Sequence, residues 1–127
     1  MATQQTSENF QKQETAGAIA SDKVEGTAVY RSNGEKVGKI ERLMIDKASG
    51  KVSYAVLSFG GFLGIGDDYY PLPWSLLKYS ERLGGYEVNI SDEQLKGAPK
   101  YRRDETWNWA DQNRGRQVYD YYRTPYV

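Results

Sequence analysis

Four glycines and three large apolar residues make up Gly60-Gly61-Phe62-Leu63-Gly64-Ile65-Gly66, the stretch whose composition comes closest to a ligand cradle. Glycines admit positive φ and let a backbone approach a bound group closely. A phosphate-binding loop, however, needs a lysine and then a serine or threonine after its last glycine, to meet the phosphates and their magnesium ion. Here Asp67-Asp68 follow, and their charges repel phosphate. The segment therefore reads as a glycine-bent corner whose Phe62, Leu63 and Ile65 must find cover against a partner, a second subunit or the rest of the chain. The two aspartates read as a turn-capping pair rather than a cation site, because neighbours on a strand point to opposite faces unless the chain kinks. Asp46 and Asp92 read as a turn residue and a helix-start residue.

The second chemically loaded stretch is Tyr101 to Tyr126. Trp107, Trp109, Tyr119 and Tyr122 stand there among Arg102, Arg103, Arg114, Arg116 and Arg123. Rings between arginines are what a single-stranded nucleic acid stacks on. Asp104, Glu105, Asp111 and Asp120 lie in the same stretch and blunt its field. Arginine, tryptophan and tyrosine also dominate the hot spots of protein interfaces, and protein contact is the stronger reading. Catalysis has little to draw on. The chain has no histidine and no cysteine, which removes thiolate nucleophiles, the usual zinc ligands and the side chain that most often moves protons near neutrality. Carboxylates alone remain, with no oxyanion motif beside them, and the chain is too short for both a core and a deep sugar cleft. The expectation is a non-enzymatic protein without cofactor or metal.

A chain of 127 residues fits one domain plus tails. Its hydrophobic fraction is 39% and it holds 11 tyrosines, so much of its apolar area is tyrosine ring. Lysine plus arginine and aspartate plus glutamate are both 17. Zero net charge supplies no long-range pull on nucleic acid or anionic membrane, and little repulsion against self-association. No stretch is long and apolar enough to cross a bilayer. Residues 1–21 are polar, lack the pattern of a secretory signal, and read as a disordered lead to a cytoplasmic protein.

Short strands must position these groups. Thr27–Tyr30 predicts a strand, Ser32-Asn33-Gly34-Glu35 a hairpin turn, and Val37–Asp46 a longer strand whose alternation slips at Glu41-Arg42. The slip predicts a β-bulge, and Gly38 fits the same bend. After the turn Lys47–Gly50, the run Lys51–Phe59 carries Val52, Tyr54 and Val56 on one face and Ala55, Leu57 and Phe59 on the other. Such a strand needs cover on both sides. Asp67–Pro73 predicts a short strand ended by its prolines, followed by a turn or short helix at Trp74–Leu77 and by Lys78–Ser80. Leu83-Gly84-Gly85 marks a hairpin into Tyr86–Ile90. Ser91 and Gln94 have capping-box spacing for a short helix stopped by Gly97. A final helix is expected from Asp104 or Thr106 to about Tyr122, with Trp107, Ala110, Arg114, Val118, Tyr121 and Tyr122 near one face and Gly115 weakening it.

Taken in order, Gly34–Ile40, Met44–Lys47, Gly50–Leu57, Phe59–Gly66 and Tyr70-Pro71-Leu72-Pro73-Trp74 resemble the PRC-barrel family, and Val118–Tyr126 is similar to the end of its stand-alone bacterial members. The ordered series carries the resemblance; no single motif does. It implies a mainly β fold, a small antiparallel PRC-type barrel of about six strands with a short helix and a C-terminal helix. In relatives, this barrel lies beneath the membrane subunits of photosynthetic reaction centres as the H subunit, or docks a ribosome maturation factor onto a ribosomal protein. Counterparts of the H subunit's membrane helix and of the maturation factor's companion domain are not expected from this sequence. The expected organisation is a tail over 1–21, a barrel over 22–99 and an aromatic helical extension over 100–127. The expected function is protein docking or assembly, with a homodimer among the partners. The candidate contact residues are Phe62, Leu63, Ile65, Trp74, Trp107, Trp109, Tyr119 and Tyr122. Two alternatives stand beside it: a carrier holding a small apolar ligand between the Gly60–Gly66 loop and Trp107 or Trp109, and an RNA- or ribosome-associated accessory factor.

Overall fold

The computed structural model describes residues 17–59 and 68–124. Among these residues seven strands form one sheet: β1 (Ala28–Tyr30), β2 (Lys36–Ile45), β3 (Val52–Ser58), β4 (Asp68–Pro73), β5 (Lys78–Ser80), β6 (Gly85–Glu87) and β7 (Tyr101–Arg102). Among the described residues three helices accompany them, α1 (Ser21–Val24), α2 (Asp92–Gly97) and α3 (Gln112–Tyr121), with a 3-10 turn at Trp74–Leu76. The sheet order is β5-β6-β1-β2-β3-β4-β7. This corrects the expectation of about six antiparallel strands. β1 and β6 run parallel, and a long connection through the other strands makes that pairing possible. β7 is a two-residue strand, too short to leave a periodic signal, recruited where Tyr101 and Arg102 meet Tyr69 and Asp68. The ends of the order, β5 and β7, do not pair with each other among the described residues.

The β2–β3 hairpin builds the middle of the sheet. Ile40 pairs with Leu57 and Arg42 with Val56, so Glu41 is the extra residue of a bulge, at the expected slip in alternation. The bulge lets Ile40 and Leu43, three residues apart, share one face. Directly opposed residues of antiparallel strands share a face, so the register assigns Ile40, Leu43, Ala55, Leu57, Tyr70 and Leu72 to an inner face. Arg42, Met44, Tyr54, Val56, Tyr69, Pro71 and Pro73 fall on the outer face. Ala55, Val56 and Leu57 are all fully buried, so β3 is covered on both sides. Inside, Phe59 meets Tyr70 edge-on at 5.1 Å, and Val29, Val37, Tyr86, Val88, Ile90 and Leu95 extend the core.

Gly38 shows how tightly the sheet bends. A β-carbon there would lie 2.2 Å from the Ser58 carbonyl oxygen. The equivalent atom at Gly85 would lie 2.3 Å from the Ala28 carbonyl oxygen. Only glycine lets these strands approach so closely.

The prolines do not end β4, which runs through Pro73. β4 pairs with β3 along Tyr69–Pro73 but with β7 only at Asp68 and Tyr69. Pro71 and Pro73, two apart, turn their missing N–H groups to the same edge, and that edge carries no ladder at their level. The capping box of α2 forms as its spacing implies: Ser91 accepts from the Gln94 backbone N–H, and the Gln94 side chain accepts from that of Ser91. The C-terminal helix starts later than expected, at Gln112, behind Asp111 as its cap. Glu105 takes the Arg102 backbone N–H at 2.7 Å, and Asn108 takes that of Ala110 at 3.1 Å. These local acceptors hold residues 102–110 in turns and compete with helix.

Candidate interaction surface

Val56, Pro71 and Pro73 give the outer face of β3 and β4 an apolar floor, and a sheet face of that kind cannot be left to water. The chain after β7 folds back over it. The aromatic residues form a continuous row: Tyr69 meets Tyr101 at 5.5 Å, Tyr101 meets Trp107 at 5.5 Å, and Trp107 meets Trp109 at 6.1 Å. Tyr54 then contacts both Trp109 and Tyr119 at 5.3 Å. The pairs at either end are edge-on and those between are tilted, orientations that the ring quadrupole favours.

α3 locks the row in place. Its buried positions Gly115, Val118, Tyr119 and Tyr122 follow helical spacing. The Tyr119 hydroxyl donates to the Ser53 carbonyl oxygen at 2.7 Å, joining helix to strand β3. The Tyr121 hydroxyl donates to the Gln94 carbonyl oxygen at 2.6 Å, joining α3 to α2.

The expected contact residues divide accordingly. Trp107, Tyr119 and Tyr122 are 5%, 3% and 8% exposed, so they are interior groups of this chain. Trp109 is half-buried in the row. Trp74 is half-buried elsewhere, against Tyr86, which also meets Tyr79. Phe62, Leu63 and Ile65 lie outside the described residues. Their proposed apolar-ligand site against Trp107 or Trp109 finds those rings already in contact with Tyr101, Tyr54 and each other.

The groups facing outward are arginines. Arg42 lies 5.6 Å and Arg103 5.4 Å from the centroid of the same ring, Tyr69. Arg114 lies 4.5 Å from that of Trp107. All three are exposed. Sequence reasoning missed Arg42, Tyr54, Tyr69 and Tyr101 as parts of one surface. The available signal was the apolar Tyr54–Val56 face of a strand that a bare sheet would expose.

Most carboxylates serve the architecture. Asp46 accepts backbone N–H groups from Ser49 and Ala48, which hold its carboxyl below the usual range. Asp92 and Glu35 pair with Arg31, Glu41 accepts the Ser58 hydroxyl and faces Lys39, and Asp104 pairs with Arg102 at 3.3 Å. Asp68 lines a recess of about 390 Å³ with Arg102, Arg103 and Asp104. Among the described residues, no three carboxylates are gathered as a metal site, and no helix is long and apolar enough to cross a membrane.

Two tyrosines are chemically distinct. The hydroxyls of Tyr70 and Tyr122 are buried without a hydrogen-bond partner among the described residues. Burial, and then the charge of Asp68, push the Tyr70 hydroxyl up to about 12. Burial, with Tyr121 and Tyr70 nearby, raises that of Tyr122 further.

A family model described as PRC-barrel domain matches residues 16–95, well over half of the chain. The chain is also 24% identical over 83 residues to an uncharacterized protein of Deinococcus radiodurans. That match takes in 65% of this chain and 29% of the relative's length.

Proposed function

The chain belongs to the PRC-barrel family, and on that footing we propose that it is a non-catalytic docking module that grips another protein with the arginine-rimmed outer face of β2–β4. The observation that carries this reading is the convergence of Arg42 and Arg103 on Tyr69, with neither guanidinium in an ion pair among the described residues. Arginine held against an aromatic ring is pre-organised, and little side-chain freedom is lost when it meets a partner. The structural duties of most carboxylates favour binding over chemistry. The sheet is read as the wall of a small barrel, its curvature supplied by the β2 bulge and by the close approaches at Gly38 and Gly85. Zero net charge leaves a second copy of the chain admissible as the docked protein.

A photo-crosslinking amino acid placed at Lys39, exposed on this face opposite Ser58, tests the reading. It should give one discrete protein adduct in cells, absent when the crosslinker replaces Glu81 on the β5–β6 hairpin. No adduct at position 39, or the same adduct from both positions, would remove this face as the docking site.

A further inference from the structure

We infer that the Arg42–Tyr69–Arg103 clamp takes an acidic protein segment, two carboxylates presented side by side, and this rests on the docking reading above. Two guanidiniums 5.6 and 5.4 Å from one ring centroid concentrate positive charge there, and carboxylates that meet them offset that charge while accepting forked hydrogen bonds. The neighbouring charges set the size of anion admitted. Asp104 is taken by Arg102 at 3.3 Å, and Asp68 lies in the same recess as Arg103. Singly charged carboxylates fit this mixed field better than a polyphosphate backbone.

A nucleic acid is further disfavoured by the rings. A base needs an open aromatic face to stack on, and Tyr101 and Trp107 are 8% and 5% exposed, each already in contact with its neighbours in the row. What remains outward is charge with forked donors. Arg114, held 4.5 Å above Trp107, extends the same rim and gives a longer acidic segment a third contact.

The experiment is a titration of the full chain with a hexaglutamate peptide, followed by calorimetry and by the Nε–H resonances of the arginines. Binding should shift the Arg42 and Arg103 signals and weaken steeply with salt. The double variant Arg42→Gln/Arg103→Gln should lose about tenfold or more in affinity, and Arg42→Lys/Arg103→Lys should recover part of it. Arg82→Gln, which alters an exposed arginine paired with Glu87, should bind as the parent does. The inference fails if the peptide does not bind, or binds equally well to the double glutamine variant. It also fails if an oligothymidylate competes better than the peptide, or if sedimentation finds a homodimer that the double variant dissociates. An adduct at position 39 that survives Arg42→Gln/Arg103→Gln would leave docking standing and remove the acidic partner. Loss of the adduct in the double variant would support the acidic partner, whereas no adduct at position 39 in the parent chain would remove docking.

Discussion

Replacing Tyr119 by Phe removes one hydroxyl and keeps the ring that meets Tyr54 edge-on at 5.3 Å and 78°. That hydroxyl donates to the Ser53 carbonyl oxygen at 2.7 Å. Ser53 is the residue skipped where β2 and β3 break register between Met44 and Ile45, and the β3–β4 pairing begins only at Tyr54. Its carbonyl thus lies at a break in the register and accepts from Tyr119. A neutral hydrogen bond of this kind contributes about 1 kcal/mol, and a sealed carbonyl left without a donor costs up to about 3 kcal/mol. Ser53 is half-buried, so water reaches it and the loss for Tyr119→Phe stays near the lower figure. For a chain of this size that is roughly 3–6 °C in Tm. Tyr119→Ala also removes a buried ring and should cost about 3–5 kcal/mol. Urea unfolding should be followed both by far-ultraviolet dichroism and by tryptophan fluorescence, since Trp107 and Trp109 lie in the same aromatic row. Coincident curves that move together in both variants are expected. An unchanged midpoint for Tyr119→Phe, or fluorescence lost well before the sheet signal, would refute the C-terminal segment as part of one cooperative unit.

Gly38→Ala forces a β-carbon to within 2.2 Å of the Ser58 carbonyl oxygen and 2.8 Å of Phe59 Cδ1, and should cost about 3 kcal/mol, read as a fall in Tm. Tyr122→Phe deletes a buried hydroxyl that has no partner among the described residues, so its urea midpoint should be unchanged or raised by up to about 1 kcal/mol of stability. Because Tyr70 is pushed from 10.0 to about 12 in the fold, the unfolded chain releases its proton first. Stability is whole below pH 10.0 and declines as pH rises toward about 12, and Tyr70→Phe should flatten the slope of urea midpoint against pH over that window. Asp111→Ala removes the acceptor for the Asn113 and Arg114 backbone N–H groups and should cost about 1 kcal/mol, with helix signal lost in dichroism.

Features set by neighbours in the chain were legible from the sequence. Asn33-Gly34 makes its turn with Gly34 at φ 89°, the slip at Glu41-Arg42 is a bulge, and Ser91 and Gln94 cap α2. Features set by distant partners were not. The parallel meeting of β1 with β6 depends on Val29 finding Tyr86 across most of the barrel sequence. Nothing local marks Tyr101-Arg102 as a strand, since two residues acquire that state only by pairing with Asp68 and Tyr69. The prolines of β4 do not themselves reveal which edge of the strand is free, and with a free edge the strand runs through Pro73. The start of α3 was misplaced because Asp104, Thr106 and Asp111 are all acceptable caps, and the contest is decided by Glu105 and Asn108 closing turns upstream.

The described residues of the candidate surface separate for a related reason. Tryptophan, tyrosine and arginine in one segment look alike to composition, which assigns them together to recognition. The fold separates them by solvation. Each ring carries apolar area that the outer face of β3 can bury, so Trp107 and Tyr119 are drawn onto Tyr101 and Tyr54 and become part of the interior. A guanidinium cannot follow without losing its water, and stops over a ring of the row, as Arg42, Arg103 and Arg114 do. What faces outward is then charge held against half-buried or buried rings, not an open aromatic patch. Apolar docking would tolerate salt, whereas contact through these arginines must weaken as ions screen it. Salt sensitivity thus separates the two designs, and the partition of rings inward and guanidiniums outward favours the charged one.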